Sequence, residues 1–460
     1  MPEKLSHRRR EIIEMLQKLK PKMLLPLALL ALNANVASAQ STTRGPVDPG
    51  VRAGSAGAGG ALANLSSGEL AFFNSGLADF TSQEFLADGL GPRFNLDSCG
   101  VCHSQPAFGG TSPAKNPLVD VPGRFPANVL PSFITAQGPI REARFRSDNA
   151  VHSLFVISGR IDDTGNATAC TIVQEDFATQ LQNNNLSFRI PTPLFGAGLI
   201  EEITDKALAD NLAANATQKS SLGIVGRFNR NDNDGTVTRF GWKAQNKSLL
   251  IFSGEAYNVE MGISNEGFSQ ERDETPSCQL AKLPNDTTTV DALTPADAIS
   301  GIEKFTFFMR FLAPPAPSQI APGGQASISN GRKIFSDVGC ALCHTPTLKT
   351  GNTSVVALAN QGVNLYSDLA LHHMGSGLAD GISQGLAKGD EFRTAPLWGL
   401  GKRVFFLHDG RTSNLVEAIK AHRSLASATT VGSEASSVIN NYDGLTTTSK
   451  QDLINFLRSL

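Results

Sequence analysis

The run Cys99-Gly-Val-Cys102-His103 recurs once, as Cys340-Ala-Leu-Cys343-His344, and no other feature of the chain restricts its fold as strongly. Two thiols three residues apart reach the two vinyl groups of one haem, and the histidine after them stands ready to bind its iron. Taken singly, such a run also suits a zinc knuckle or a redox dithiol. Two copies, each with histidine directly after the second cysteine and both behind an export signal, point to two covalently attached c-type haems. Glycine (43) and proline (24) are plentiful and aromatics make up 7%. That balance suits a loop-rich chain whose cofactors supply part of the core.

At 460 residues the chain exceeds one domain of roughly 150 residues and is expected to hold two or three. A formal net charge of −2 offers no basic field for nucleic acid, so the expected partners are small molecules and redox proteins. Residues 1–39 read as a signal peptide. Arg8, Arg9, Arg10, Lys18, Lys20 and Lys22 form its basic part, 23–32 its apolar run, and Ala37-Ser38-Ala39 a cleavage site before Gln40. The competing reading is an uncleaved anchor, but the apolar run falls short of the roughly twenty residues that span a bilayer. The expected location is periplasmic or otherwise exported, with no membrane attachment after cleavage behind Ala39. Outside the two haem runs, Cys170 and Cys278 remain. In an exported protein they suggest a disulfide; two buried free thiols are the alternative.

The chain reads as mainly α, with two cytochrome c-like haem lobes, loop-rich insertions and a few short strands. A Gly/Ala-rich flexible linker fills 40–64, and an N-terminal catalytic haem domain follows over 65–312. Within it, 66–90 carries apolar residues spaced for one or two helices. Strands are expected at 154–157 and 223–228, and a helix at 292–311. The polar stretch 229–235 lacks the full ligand spacing of a calcium loop, so a plain turn is favoured and a Ca2+ site is the alternative. A Pro/Gly-rich connector, 313–328, leads to a C-terminal electron-transfer cytochrome c domain, 329–460. There, 329–337 feeds the second haem run as a helix. The stretch 450–460 closes the chain as an amphipathic helix, with Ser449 and Asp452 as its capping pair.

What lies opposite each proximal histidine, His103 or His344, decides the chemistry. A strong sixth ligand gives an electron-transfer haem; an open face admits peroxide or oxygen. Of the eight histidines, His152, His372, His373, His408 and His422 are available. His422 shares a helical face with Leu415, Ala418 and Ile419, behind a helix start at Asn414 and Glu417. Met374 is the rival, since thioether sulfur also binds haem iron.

Five further motifs carry a family likeness: Gly91-Pro-Arg-Phe-Asn95, Phe240-Gly-Trp-Lys-Ala244, Glu260-Met-Gly-Ile263, Phe392-Arg-Thr-Ala-Pro-Leu-Trp-Gly399 and His408-Asp-Gly-Arg411. Together, over roughly 66–460, they resemble the di-haem oxidoreductase, putative peroxidase family, also labelled thiol oxidoreductase, which is related to bacterial di-haem cytochrome c peroxidases. The resemblance implies a catalytic N-terminal haem, an electron-transfer C-terminal haem and a tryptophan between them. Counting from His408, the place of the sixth ligand falls on His422, which implies a bis-histidine C-terminal haem. Trp242 then corresponds to the inter-haem bridge and Glu260 to the distal acid. The residues alone also allow core packing for Trp242 and a surface carboxylate for Glu260. Phe252 stands where the family pattern has glutamine, and no histidine lies between His103 and His152 to close the N-terminal haem.

The expected function is peroxidase-like. Peroxide or another small oxidant meets the open His103 haem, Glu260 moves a proton between its oxygens, and the His344 haem relays electrons from a periplasmic redox protein through Trp242. Two alternatives stand beside it: high-valent oxidation or oxygenation of an organic or protein substrate at the same haem, and a non-enzymatic di-haem electron carrier.

Overall fold

In the computed structural model, residues 45–318, 320, 322–427 and 430–460 are described; the signal-peptide segment, 1–39, lies outside them. Three helices support the first haem run. Ser67–Thr81 starts at a capping box between Ser66 and Glu69, Leu249–Met261 is capped by Ser248, and Gly301–Phe311 starts at a second box between Ser300 and Glu303. Each box satisfies backbone N–H groups that a helix start leaves without partners. Phe72 stacks on Phe307 at 4.7 Å between ring centroids, and Phe73 meets Phe308 at 5.5 Å. The first and third helices touch at Gly76, where a Cβ would sit 2.1 Å from the Lys304 carbonyl oxygen. Any larger residue would force the helices apart.

The helix expected over 292–311 is interrupted. Pro295–Ala298 ends at Ile299, whose ψ of 153° is extended, before the Ser300 box begins the next helix. Two caps six residues apart, Thr294 and Ser300, each start their own helix.

The strands are short and antiparallel. Arg93–Phe94 pairs with Phe155–Val156, inside the expected 154–157 segment. Glu142–Phe145 is flanked by Val151–His152 and Leu186–Arg189 in a three-stranded sheet. Its register sets Glu142 opposite Arg189, and the two-residue period puts Glu142 and Arg144 on one face. No strand forms at 223–228: Arg227 makes a single bridge to Leu371, and Gly223 and Gly226 take φ of 76° and 64°. The 229–235 stretch closes as a turn, with Gly235 N–H donating to Asn231 O and Asp234 paired to Lys247.

In the C-terminal part, Gly324–Asp337 packs along Thr447–Ser459, where a Cβ on Gly331 would meet the Asp452 carbonyl oxygen at 2.0 Å. Thr446, rather than Ser449, caps the last helix. Asp452 lies a turn further in and accepts from Ser327 Oγ and Asn330 Nδ2 on the facing helix. The main core draws on both sides of the 313–328 connector, since Leu348, Leu358, Leu365 and Trp398 pack with Phe94, Phe155 and Phe308. The stretch read as a linker is docked where its polar groups find partners. Asp48 forms a buried ion pair with Arg458 at 2.7 Å, Arg52 N–H donates to Gly401 O, and Leu62 N–H donates to Phe311 O. Among the described residues no helix is long and apolar enough to cross a membrane.

Cys170 and Cys278 are joined in a disulfide across 108 residues of sequence. Constraining so long a loop in the unfolded chain is worth roughly 4 to 5 kcal/mol by loop entropy. Replacing both cysteines with serine is expected to lower the unfolding free energy by about 2 to 5 kcal/mol in urea melts. An unchanged midpoint would mean that packing alone holds these loops.

Candidate di-haem site

Each Cys-x-x-Cys-His run opens on its own cavity. Cys99, Cys102 and His103 line a space of about 1010 Å³ shared with Glu142, Arg144, Trp242, Gln245, Tyr257 and Glu260. Cys340, Cys343 and His344 line a second, of about 1330 Å³, which also takes in Met374, Arg393, Arg403, His408 and His422. A third space, about 510 Å³, lies between them and is walled by Trp242, Phe252, Trp398, Arg393 and Arg403. Trp242 is the residue that reaches all three. Its Nε1–H donates to Ile190 O at 2.9 Å and its ring meets His408 edge-on at 6.4 Å.

The imidazoles are set up as neutral ligands. Nδ1 of His103 lies 2.9 Å from Gly110 O, Nδ1 of His344 3.0 Å from Tyr366 O, and Nδ1 of His422 2.8 Å from Ala418 O. With Nδ1 donating to a carbonyl, Nε2 keeps its lone pair, the arrangement that orients a metal-binding histidine. Burial pulls His103 and His344 down to about 4 and lowers His422 as well. His422 lowers His344 further, after burial, and both rings line the C-terminal cavity.

The other histidines are committed elsewhere. His372 is held between Asp368 Oδ2 at 3.0 Å and Glu434 Oε2 at 2.7 Å. Burial opposes a charge there, yet the Cys343 sulfur and the Asp368 carboxylate hold the pKa of the ring well above its ordinary value. His373 pairs with Asp390 at 2.8 Å, and His152 stacks on Phe145 and pairs with Asp148. His408 stacks on Phe392 at 4.3 Å. Met374 lines the same C-terminal cavity beside Trp242 and Phe392.

The N-terminal cavity differs. Its lining holds one histidine, His103, and the sulfur of Met309. Glu260 lies on the last turn of Leu249–Met261, and among the described residues its carboxylate has no hydrogen bond or ion pair. Burial raises its pKa to about 8, with Glu142 and Glu255 adding and Arg144 opposing. Phe252 occupies the wall at the place where the family pattern has glutamine. Another amide stands nearby: Gln245 Oε1 is buried without a hydrogen-bond partner among the described residues. Gly241, at φ 85°, makes room for it, since a Cβ there would lie 2.0 Å from that oxygen. Sequence reading missed Gln245, and its one available signal was its place three residues after Trp242 in the 240–244 motif.

The family described as "Di-haem oxidoreductase, putative peroxidase" matches residues 151–460, more than half of the chain. The chain belongs to this di-haem oxidoreductase family. The match starts after the first haem run, later than the 66 at which the sequence resemblance begins. Among solved structures, a hydrazine synthase from Kuenenia stuttgartiensis is 20% identical over 36% of this chain and 56% of its own, with a TM-score of 0.23. The chain therefore spans little more than half of that relative. A MauG-like protein associated with microbial copper homeostasis is 16% identical over 59% of this chain and 90% of its own, with a TM-score of 0.29. No curated protein matches the chain.

Membership in the di-haem oxidoreductase family implies two haems, and the residues fit them. Four free cysteines stand in pairs at two cavities, each pair with its own histidine whose Nε2 is left as the donor atom. Cys343, Asp368 and His372 also cluster closely enough to hold a metal ion. Cys343, however, belongs to the second haem run, and with His372 it lines the C-terminal cavity.

Proposed function

We propose that this chain is an exported di-haem peroxidase, reducing peroxide at the His103 haem with electrons relayed from the His344 haem. The contrast between the two cavities carries the reading. One is lined by several histidines, His344 and His422 among them, and the other has His103 with a carboxylate and an amide that lack partners among the described residues, Glu260 and Gln245. A cavity wall with an unpaired proton-transfer group suits chemistry; a doubly ligated iron suits electron transfer.

A haem held by Cys99, Cys102 and His103 would supply the redox change that peroxide reduction needs. Reduction of hydrogen peroxide to two waters consumes two electrons and two protons, the electrons coming from a reduced redox-protein donor outside the chain. Glu260 takes the proton from the inner peroxide oxygen on its carboxylate and returns it to the outer one, which makes water the leaving group. Gln245 Oε1 accepts a hydrogen bond from the outer O–H and keeps it turned toward Glu260. Trp242, in the wall of both cavities, provides the aromatic contact between the haems. The disulfide Cys170–Cys278 supports an oxidising compartment, in line with an export signal at 1–39.

Electron paramagnetic resonance of the ferric holoprotein tests this reading. The expected spectrum has one high-spin and one low-spin haem per chain. Two low-spin signals, as would follow if Met309 closed the N-terminal iron, would overturn it in favour of an electron carrier.

A further inference from the structure

Two guanidinium groups in the wall between the haem cavities have no counter-charge. Arg393 and Arg403 are 9% and 8% exposed, and both line the C-terminal haem cavity and the space between the haems. Arg393 Nε donates to Gly241 O at 3.0 Å; the Arg403 side chain has no hydrogen bond or ion pair among the described residues. Burial lowers both to about 10, and Arg403 presses further on Arg393 by like-charge repulsion. Several buried cations of this chain have an acid partner, since Arg189 and Lys243 share Asp380 at 2.7 and 3.1 Å and Arg458 pairs with Asp48, while Lys219 and Lys402 each donate to two backbone carbonyls and Arg52 to one. Two adjacent buried cations without an anion are a poor arrangement for a folded chain.

We propose that Arg393 and Arg403 are the carboxylate-binding site for the two propionates of the C-terminal haem. Both arginines line the C-terminal cavity where it borders the space between the haems, and none of the cysteines lines that second space. A haem tethered through its vinyl groups presents its propionates at the edge opposite the tethers. A planar guanidinium binds a carboxylate through two parallel N–H donors, so two arginines match two propionates. Neither arginine lines the N-terminal cavity, whose basic residues are Arg141, Arg144 and Arg189. The pair also borders Trp242: Arg393 N–H donates to Trp242 O at 2.9 Å. Positive charge there raises the potential of the C-terminal haem, offsetting the low potential that two histidine ligands impose.

This assignment rests on the two-haem reading, and the test separates them. Haem content per chain is measured first; a chain that binds no haem fails the reading itself. In holoprotein with both haems attached, Arg403→Gln and Arg393→Met are each expected to shift the one-electron reduction equilibrium of the low-spin haem at least tenfold toward the oxidised form, about 59 mV. The high-spin haem should move less. Arg403→Lys keeps the charge and should retain most of the potential. If the neutral variants attach less haem, Arg403→Lys should restore attachment. An unchanged potential in the neutral variants, or a lysine variant as defective as they are, would overturn the proposal. So would a wild-type potential that follows chloride or phosphate concentration, since a free anion would then be the occupant.

Discussion

Glu260→Gln is expected to lower peroxide turnover by about 10²- to 10⁴-fold, the usual worth of a positioned acid–base group. Glutamine keeps the size of the side chain on the last turn of Leu249–Met261 and removes the proton acceptor, so haem content and the ferric spectrum should stay as in the wild type. The pH profile adds a second signature. Glu260 acts as a carboxylate, and burial raises its pKa to about 8. Turnover in the wild type should therefore rise with pH and level off above about 8, and that rising limb should vanish in Glu260→Gln. Turnover within a few-fold of wild type would remove Glu260 from the chemistry.

His422→Ala should abolish the low-spin signal of the C-terminal haem outright and leave two high-spin irons. His344 would keep its link to Tyr366 O, but nothing would remain opposite it. His422→Met should keep a low-spin iron and raise its potential, because a thioether favours ferrous iron more than imidazole does. The rival ligand makes the opposite forecast. If Met374 were bound instead, the low-spin signal would survive His422→Ala and disappear in Met374→Ala.

Much of the local structure was legible in the residues. Asn414 caps Leu415–Ala421 and carries His422 at the end of that helix, as its spacing predicts. Phe155–Val156 falls within the expected apolar strand. Capping boxes and apolar spacing act over a few residues, so they can be read from a short window. The expectations that differed needed distant partners. The stretch 223–228 has strand-like residues but only one bridge, to Leu371, and positive φ at two glycines breaks the ladder. Residues 45–64 look unstructured by composition, yet Asp48, Arg52 and Leu62 are held by Arg458, Gly401 and Phe311, all far along the chain.

Two haem sites were legible in the residues alone, because each Cys-x-x-Cys-His run that suits attachment spans five consecutive residues. The sequence also indicated Trp242, Glu260 and His422 through motifs in the third and fourth quarters of the chain. Only the tertiary structure decided that one tryptophan borders both cavities, that Gln245 stands near the place taken by Phe252, and that Arg393 and Arg403 are buried side by side without an anion. The physical reason is that attachment motifs and helix caps are contacts between near neighbours in sequence. Burial of a charge, or the loss of a polar atom's partner, depends on every segment that folds against it.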